Sequence, residues 1–320
     1  MKRSFYENNG EIMKKVFIDG SAGTTGLRIY ERLSAREDIE ILTIPEEQRK
    51  DPVAKKKIMN GADVVFLCLP DDAARESVGL IDNPDTVVID ASTAHRTLPD
   101  WAYGFPELSK KHEEKILSSK RIAVPGCHAS GFIALVYPLV EAGLLDENAL
   151  LSCHSITGYS GGGKKMIADY QSEDRNALLG APRQYGLTQQ HKHLKEMKKM
   201  TGLENEPLFC PIVSDFYSGM LVTVPLFAKQ IHGGIDEVKR VYAEKYQSKI
   251  VSYQESIDEK GFVSALTLAG TDGMRVTVTG NDERILLMAA YDNLGKGASG
   301  AAVECMNLAI GAERTKGLIL

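Results

Sequence analysis

Four short apolar runs near the start of the chain constrain its fold most. Each is apolar along most of its length, and a polar, helix-compatible segment separates it from the next. The runs are KKVFIDG (14–20), IEILTIP (39–45), ADVVFLCLP (62–70) and DTVVIDAS (85–92). Strands that are apolar on both faces belong to a parallel sheet with helices on each side. The first part of the chain is therefore predicted to be α/β, a Rossmann-like, doubly wound parallel-sheet domain.

After about residue 150 the pattern changes, and at 320 residues the chain is long enough for a second domain. LLSCHSITGYS, MLVTVPLFA and RILLMAAYDNL look like longer, alternating strands, which predicts an α+β domain with a mixed or antiparallel sheet. Small and apolar residues at helical spacing near the end predict a C-terminal helix that returns to the first domain. The predicted organisation is an N-terminal extension (1–12), a dinucleotide-binding domain (13–127), a catalytic and substrate domain (128–296) and the C-terminal helix (297–320).

The charge balance argues against a nucleic-acid or membrane surface. The net charge is -5, and residues of both signs are interspersed. No apolar run approaches the roughly 20 residues that span a bilayer, and the N-terminus lacks the apolar core of a signal peptide. The cysteines are widely spread without a CxxC pair, which fits free thiols in a reducing compartment. We therefore expect a cytoplasmic protein that holds a small anionic substrate with local groups.

A glycine-rich turn joins the first predicted strand to the first predicted helix. In that context glycines let the backbone approach a pyrophosphate at a helix N-terminus, although the spacing here is GxxGxxG. A tight turn without a ligand is the alternative, and we favour dinucleotide binding. The acidic and basic residues of 46–50 do not decide between NAD and NADP. The candidate contacts are Gly20, Ser21, Ala22, Gly23, Thr24, Thr25 and Gly26.

Cys127 stands between two apolar runs, in VPGCHASGF (124–132). Directly before a predicted helix, the helix dipole and free N–H groups favour a thiolate, and small neighbours leave room for a ligand. The alternatives are a buried filler and a metal pair with His128. We favour a nucleophile. The other cysteines are interpreted as structural thiols, and His128 and His154 as structural or peripheral.

The histidine partner of such a thiol is sought in YGLTQQHKHLKEM (185–197). His191 and His193 can act as acid and base near neutral pH. A metal-ligand pair is the alternative, but nothing nearby completes a plausible site, and no metal is predicted. Arg183 is a candidate for binding a substrate carboxylate or is a surface residue. Lys164 belongs to TGYSGGGKK (157–165), which is either an anion-contacting loop or merely flexible.

Taken together, these blocks resemble the N-acetyl-γ-glutamyl-phosphate reductase family in its shorter form. The resemblance runs in order over about residues 13–312, and its blocks include GSAGTTG, PGCHASGF, SGGGKK, HKHLKEM and DNLGKGASG. It implies a fold similar to aspartate-semialdehyde dehydrogenase. It also implies NADPH-dependent reduction of N-acetyl-γ-glutamyl phosphate to the semialdehyde in arginine biosynthesis, through a cysteine thioester.

The resemblance also assigns roles to residues of this chain. The nucleophile maps onto Cys127 and the catalytic histidine onto the HxH block, where we prefer His193 over His191. It implies a homodimer or homotetramer. The cofactor contacts implied besides the glycine turn are Ser92, Ser160, Gly161, Gly162, Asn293 and Lys296.

Two other functions stay open from the sequence. An enzyme of the same architecture can act on another substrate, as an aspartate-semialdehyde dehydrogenase or an aminoadipyl-phosphate reductase does. A non-catalytic NADP-sensing domain would keep the nucleotide site and use the cysteine only structurally.

Overall fold

The computed structural model describes residues 13–49 and 51–320, so the predicted extension over 1–12 lies outside the described residues. The described strands form one sheet of six and one of seven. Within the described residues no helix is long and apolar enough to cross a membrane.

The first sheet is parallel in all its described pairs and runs in the order β2-β1-β3-β4-β6-β5. The predicted apolar runs form its first four strands. The strands are β1 Lys14–Asp19, β2 Ile39–Leu42, β3 Val64–Leu67, β4 Val87–Asp90, β5 Ala102–Tyr103 and β6 Arg121–Ala123, and the helices between them are α1 Thr24–Ser34, α2 Pro52–Asn60, α3 Asp71–Gly79 and α4 Lys110–Ser118.

Helices cover both faces of this sheet, which explains why its strands are apolar throughout. Val16 and Ile18 pack with residues of α1 and of the C-terminal helix, whereas Phe17 packs with residues of α2 and α3. The strand order reverses between β1 and β3, so a crevice opens at the carboxyl ends of these strands. The predicted Rossmann-like domain is confirmed.

The second sheet is mixed and runs in the order β11-β12-β13-β10-β7-β9-β8. Its β7–β9 and β11–β12 pairs are parallel, and its other pairs are antiparallel. The predicted α+β architecture is therefore confirmed. The strands are β7 Ser152–Gly158, β8 Arg183–Gln184, β9 Leu208–Ser214, β10 Met220–Phe227, β11 Val251–Tyr253, β12 Met274–Gly280 and β13 Arg284–Tyr291.

Five further helices follow along the described chain: α5 Cys127–Glu141, α6 Gly163–Gln171, α7 His193–Thr201, α8 Gly234–Lys245 and α9 Gly300–Ile310. Helix α5 lies so close to the sheet that a Cβ at Gly131 would sit 2.6 Å from Val222. A π-helical turn, Gly295–Ser299, leads into α9, which packs on the first sheet. The exact domain boundaries stay a prediction.

Candidate active site

Cys127 is the first residue of α5, and its side chain lines a cavity of about 550 Å³. Strand β6 ends four residues earlier, so Cys127 lies just beyond the carboxyl end of the first sheet, where the chain enters the second domain. The Tyr291 hydroxyl donates a hydrogen bond to the Cys127 carbonyl at 2.5 Å. Gly297 also lies against it, since a Cβ there would be 3.1 Å from the Cys127 Cβ. The helix start is thus held from two sides.

The resting thiol of Cys127 is protonated. Burial raises its pKa to about 11, more than the Arg96 guanidinium and the backbone N–H of His128 lower it. The Glu196 carboxylate raises it further. The helix start was expected to favour a thiolate, but desolvation outweighs the dipole here. Attack on a substrate therefore needs a base.

His193 is the predicted base, and it lies at the same cavity as Cys127. It begins α7 and is buried. Its Nε2 lies beside Gly126, where a Cβ would be only 2.4 Å away. Burial and then the Arg96 charge hold the pKa of His193 well below its usual value. The imidazole is therefore neutral near pH 7 and able to accept a proton.

His191 lines this cavity as well but is only half-buried. Burial lowers its pKa, and the nearby Arg96 and Lys192 charges lower it further. Its Nδ1 accepts a hydrogen bond from the His193 backbone N–H at 3.2 Å. His191 thus supports the start of α7.

Arg96 and Glu196 form a buried ion pair beside the candidate site, which sequence reasoning missed. Arg96 donates from Nη1 to the Glu196 carboxylate at 3.0 Å, and both side chains are buried. The guanidinium also donates to the carbonyls of Val124 (2.8 Å) and Ala91 (3.0 Å). These bonds fix a positive charge beside the thiol. The sequence did contain a signal for Glu196, because it follows His193 by about one helical turn and so lies on the same face of the predicted helix.

Sequence reasoning also missed a row of hydrogen-bonded side chains, Ser155, His128 and Tyr185, that ends at the cavity. The His128 ring lies 2.7 Å from the Ser155 hydroxyl and 2.6 Å from the Tyr185 hydroxyl. Burial lowers the pKa of His128 to about 3, so the ring is neutral. Tyr185 lines the cavity with Cys127. His128 was expected to be structural or peripheral, and in the structure it supports the Tyr185 hydroxyl at the cavity.

The glycine turn has the geometry of a phosphate site. Gly20 has a φ of +87°, and a Cβ there would be 2.3 Å from the Cys68 carbonyl oxygen. Helix α1 begins after Gly23 without a side-chain cap, so its first N–H groups are free for an anion. A cavity of about 430 Å³ extends from Gly20, Ser21 and Ala22 to the end of β2.

A smaller cavity, of about 130 Å³, connects this turn to the thiol. It is lined by Thr24 and Thr25 on one side and by Cys127 and His193 on the other. Three predicted cofactor neighbours, Ser160, Gly161 and Asn293, line it too. The Asn293 amide donates to the Ser160 hydroxyl at 3.0 Å. Gly162 lines the cavity that holds the thiol.

Four residues predicted as ligand contacts line none of these three cavities, and their roles stay predictions. The Lys296 ammonium lies in a buried cluster of carboxylates, and the Ser92 hydroxyl donates to Asp90 at 2.7 Å. Arg183 donates to the Tyr170 hydroxyl at 3.0 Å. Lys164 is exposed on α6. Local spacing did not reveal which way these side chains point.

The fold and the site define an oxidoreductase of the semialdehyde dehydrogenase class, with a cysteine and a histidine beside a nicotinamide-nucleotide groove. Two family models match the chain accordingly. Semialdehyde dehydrogenase, NAD binding domain, matches residues 15–116, and Semialdehyde dehydrogenase, dimerisation domain, matches residues 127–293.

Known proteins narrow this class to a family. N-acetyl-gamma-glutamyl-phosphate reductase of Chelativorans sp. (strain BNC1) is 46% identical over 94% of this chain and 99% of its own length. The protein of the same name from Rhizobium meliloti (strain 1021) is 42% identical over 93% of this chain and 99% of its own length. The chain therefore belongs to the N-acetyl-γ-glutamyl-phosphate reductase family, as its blocks indicated.

Solved structures agree on the fold. Aspartate semialdehyde dehydrogenase II from Vibrio cholerae, complexed with ASA, superposes with a TM-score of 0.68 at 16% identity, covering 93% of this chain and 98% of its own. The enzyme from Francisella tularensis superposes with a TM-score of 0.68 at 13% identity, covering 92% of this chain and 99% of its own. At these identities the likeness concerns the fold alone.

Proposed function

We propose that the protein uses NADPH to reduce N-acetyl-γ-glutamyl phosphate to N-acetyl-glutamate semialdehyde and phosphate, in arginine biosynthesis. Cys127 carries the acyl group as a thioester. One observation supports this most: Thr24 and Thr25 of the glycine turn, Cys127 and His193 line one cavity of about 130 Å³. The names of the relatives supply the substrate.

The first half of the reaction needs a proton acceptor and local positive charge. His193 takes the proton of the Cys127 thiol, and the sulfur attacks the γ-acyl carbon. The carbon–oxygen bond to phosphate breaks, and His193 passes the proton to the departing phosphate. Arg96 and Lys192, which line the polar cavity next to His191, supply the positive charge for this anion.

The second half converts the thioester to the aldehyde. When bound, the reduced nicotinamide supplies the hydride for this step. Cys127 holds the resulting thiohemiacetal as its alkoxide until the carbon–sulfur bond breaks, which forms the aldehyde carbonyl and releases the semialdehyde and the Cys127 thiolate. The released thiolate recovers a proton from water through His193. Tyr185, held by His128, orients the substrate in the cavity by a hydrogen bond.

NADP is proposed over NAD because of Arg49. It lines the cavity at the end of β2, where an acidic residue would bind the ribose hydroxyls of NAD. Its partner is Glu46 at 2.7 Å, an exposed pair that a phosphate can displace. Lys55 lines the same cavity but is paired with the buried Asp19 at 2.7 Å. Arg49 is therefore the candidate for the 2′-phosphate.

A homodimer or homotetramer is proposed, formed through the outer face of the second sheet. Several large apolar side chains on that side are exposed, among them Leu150, Leu208, Phe227 and Leu286. An apolar patch of this kind marks an interface, and the matching family model is a dimerisation domain. A cytoplasmic location is proposed because the cysteines are free thiols. Light scattering of wild type and Phe227→Asp tests the interface.

The reverse reaction tests the substrate. NADP reduction is measured with N-acetyl-glutamate semialdehyde and phosphate, beside aspartate semialdehyde and the aminoadipate analogue, and beside Cys127→Ser. Turnover with the first substrate alone, lost in the variant, is expected. Turnover with another aldehyde alone would retain the mechanism and change the substrate. NADP binding without any turnover would indicate a sensing domain.

A further inference from the structure

The buried Glu196 carboxylate joins the two chain segments that carry the reacting groups. Its side chain is 2% exposed. Oε1 accepts from the Gly126 backbone N–H at 2.8 Å and from the Tyr103 hydroxyl at 2.7 Å, and Oε2 accepts from Arg96 at 3.0 Å. Three donors, one of which is the Arg96 cation, therefore satisfy a carboxylate that would otherwise be costly to bury.

The position of Gly126 decides where the thiol lies. Gly126 caps α5, and its carbonyl accepts from the Ser130 N–H at 2.8 Å, so a shift of Gly126 moves the first turn and Cys127 with it. Gly126 is also wedged between the His193 Nε2 and the Arg96 Nη1, which would be 2.4 and 2.5 Å from a Cβ. Glu196 holds this amide from the helix that begins with His193.

We propose that Glu196 is a positioning residue for the proton transfer from Cys127 to His193. By holding the Gly126 amide and the Arg96 guanidinium from α7, it fixes the separation of the thiol and the imidazole. The inference deepens the proposed function and depends on it for the role of Cys127. It does not depend on which acyl phosphate is bound.

The position and the charge of this carboxylate can be separated by two substitutions. Glu196→Asp retains the charge but withdraws the oxygens by about 1.5 Å, the length of one carbon–carbon bond. Glu196→Gln retains an oxygen for Gly126 but removes the negative charge. Burial and the Glu196 charge both raise the pKa of the Cys127 thiol, and Glu196→Gln removes the second of these effects while the lowering effect of Arg96 remains.

The first test is steady-state turnover of the full chain. Because misplacement by about 1 Å can cost about 100-fold, Glu196→Asp is expected to lower kcat by roughly that factor with KM changed less than about threefold. The matched control is Glu141→Asp, at the far end of α5 in a pair with Lys245, with kcat unchanged. Wild-type kcat in Glu196→Asp would overturn the proposal.

The second test needs no substrate. Iodoacetamide modification of the Cys127 peptide is followed by mass spectrometry at pH 8. Removal of the Glu196 charge takes away an effect that raises the thiol pKa, so Glu196→Gln is expected to react roughly 3- to 10-fold faster than wild type, and Glu196→Asp at the wild-type rate. If Glu196 only stabilised the fold, both variants would melt earlier with unchanged modification rates, and the proposal would fail.

Tyr103→Phe provides a further test in case the Glu196 variants do not fold. It removes one of the three donors to the carboxylate and leaves Gly126 and Arg96 bound. A net hydrogen bond is worth about 1 kcal/mol, so kcat is expected to fall about fivefold at unchanged KM. An unchanged kcat would contradict the proposal. A wild-type protein inactive with every acyl phosphate would refute the proposed function, while the modification rates would still decide the role of Glu196.

Discussion

The substitution Gly126→Ala adds a single methyl group and tests the geometry of the site. The φ of Gly126 is -72°, which any residue adopts, so the backbone does not require glycine. The surrounding side chains do require glycine, because a Cβ would lie 2.4 Å from the His193 Nε2 and 2.5 Å from the Arg96 Nη1. Normal contacts are about 3.5 Å, so both buried side chains must move by about 1 Å.

A displacement of about 1 Å at reacting groups costs about 100-fold in rate, or about 2.7 kcal/mol of transition-state stabilisation. Overpacking adds about 1 to 3 kcal/mol of destabilisation. We therefore expect kcat to fall about 100-fold while the Kd for NADPH stays within about twofold, since the glycine turn is untouched.

The assay is steady-state reduction and its reverse, with NADPH binding followed by fluorescence. Gly79→Ala is the matched control, because a Cβ there has no atom within 4 Å and the residue is exposed at the end of α3. It is expected to keep full kcat. A kcat within threefold of wild type in Gly126→Ala would refute the geometry given to Cys127 and His193.

Three further predictions follow from other parts of the structure. Lys296→Met leaves buried carboxylates without their cation, so the free energy of unfolding measured in urea is expected to fall by about 3 to 5 kcal/mol. The control Lys56→Met breaks an exposed ion pair and is expected to cost under about 1 kcal/mol. Arg49→Ser is expected to reduce the kcat/KM preference for NADPH over NADH at least tenfold, and an unchanged ratio would remove Arg49 from the cofactor site. Tyr185→Phe is expected to raise KM for the acyl phosphate about fivefold with kcat nearly unchanged; an unaltered KM would argue against substrate contact.

The parts of the fold predicted from sequence are those that depend on local patterns. Full burial on two faces requires continuous apolar runs, so β3 and β4 were recognisable from Val64–Leu67 and Val87–Asp90 alone. The starts of α1 and α5 were marked by glycines next to the expected functional groups. Local signals also placed Cys127 and the HxH block at helix starts, where the structure has them.

Contacts between distant segments were not predictable in this way. Arg96 and Glu196 are 100 residues apart and meet only because the loop after β4 and the start of α7 both reach Gly126. Lys296 was expected beside the cofactor with Asn293, but a π-helical turn directs its ammonium into the carboxylate cluster. The protonation state of the Cys127 thiol was not predictable for the same reason. Burial raises its pKa, and burial depends on the packed structure.

The most direct test of the thioester uses the reverse half-reaction without phosphate. N-acetyl-glutamate semialdehyde and NADP are mixed with enzyme, and formation of reduced nicotinamide is followed together with the mass of the Cys127 peptide. One equivalent of reduced nicotinamide per chain is expected, with an N-acetyl-glutamyl adduct on Cys127, and continued turnover once phosphate is added. In Cys127→Ser neither should form. A burst that persists in this variant, or an adduct on another residue, would contradict the account.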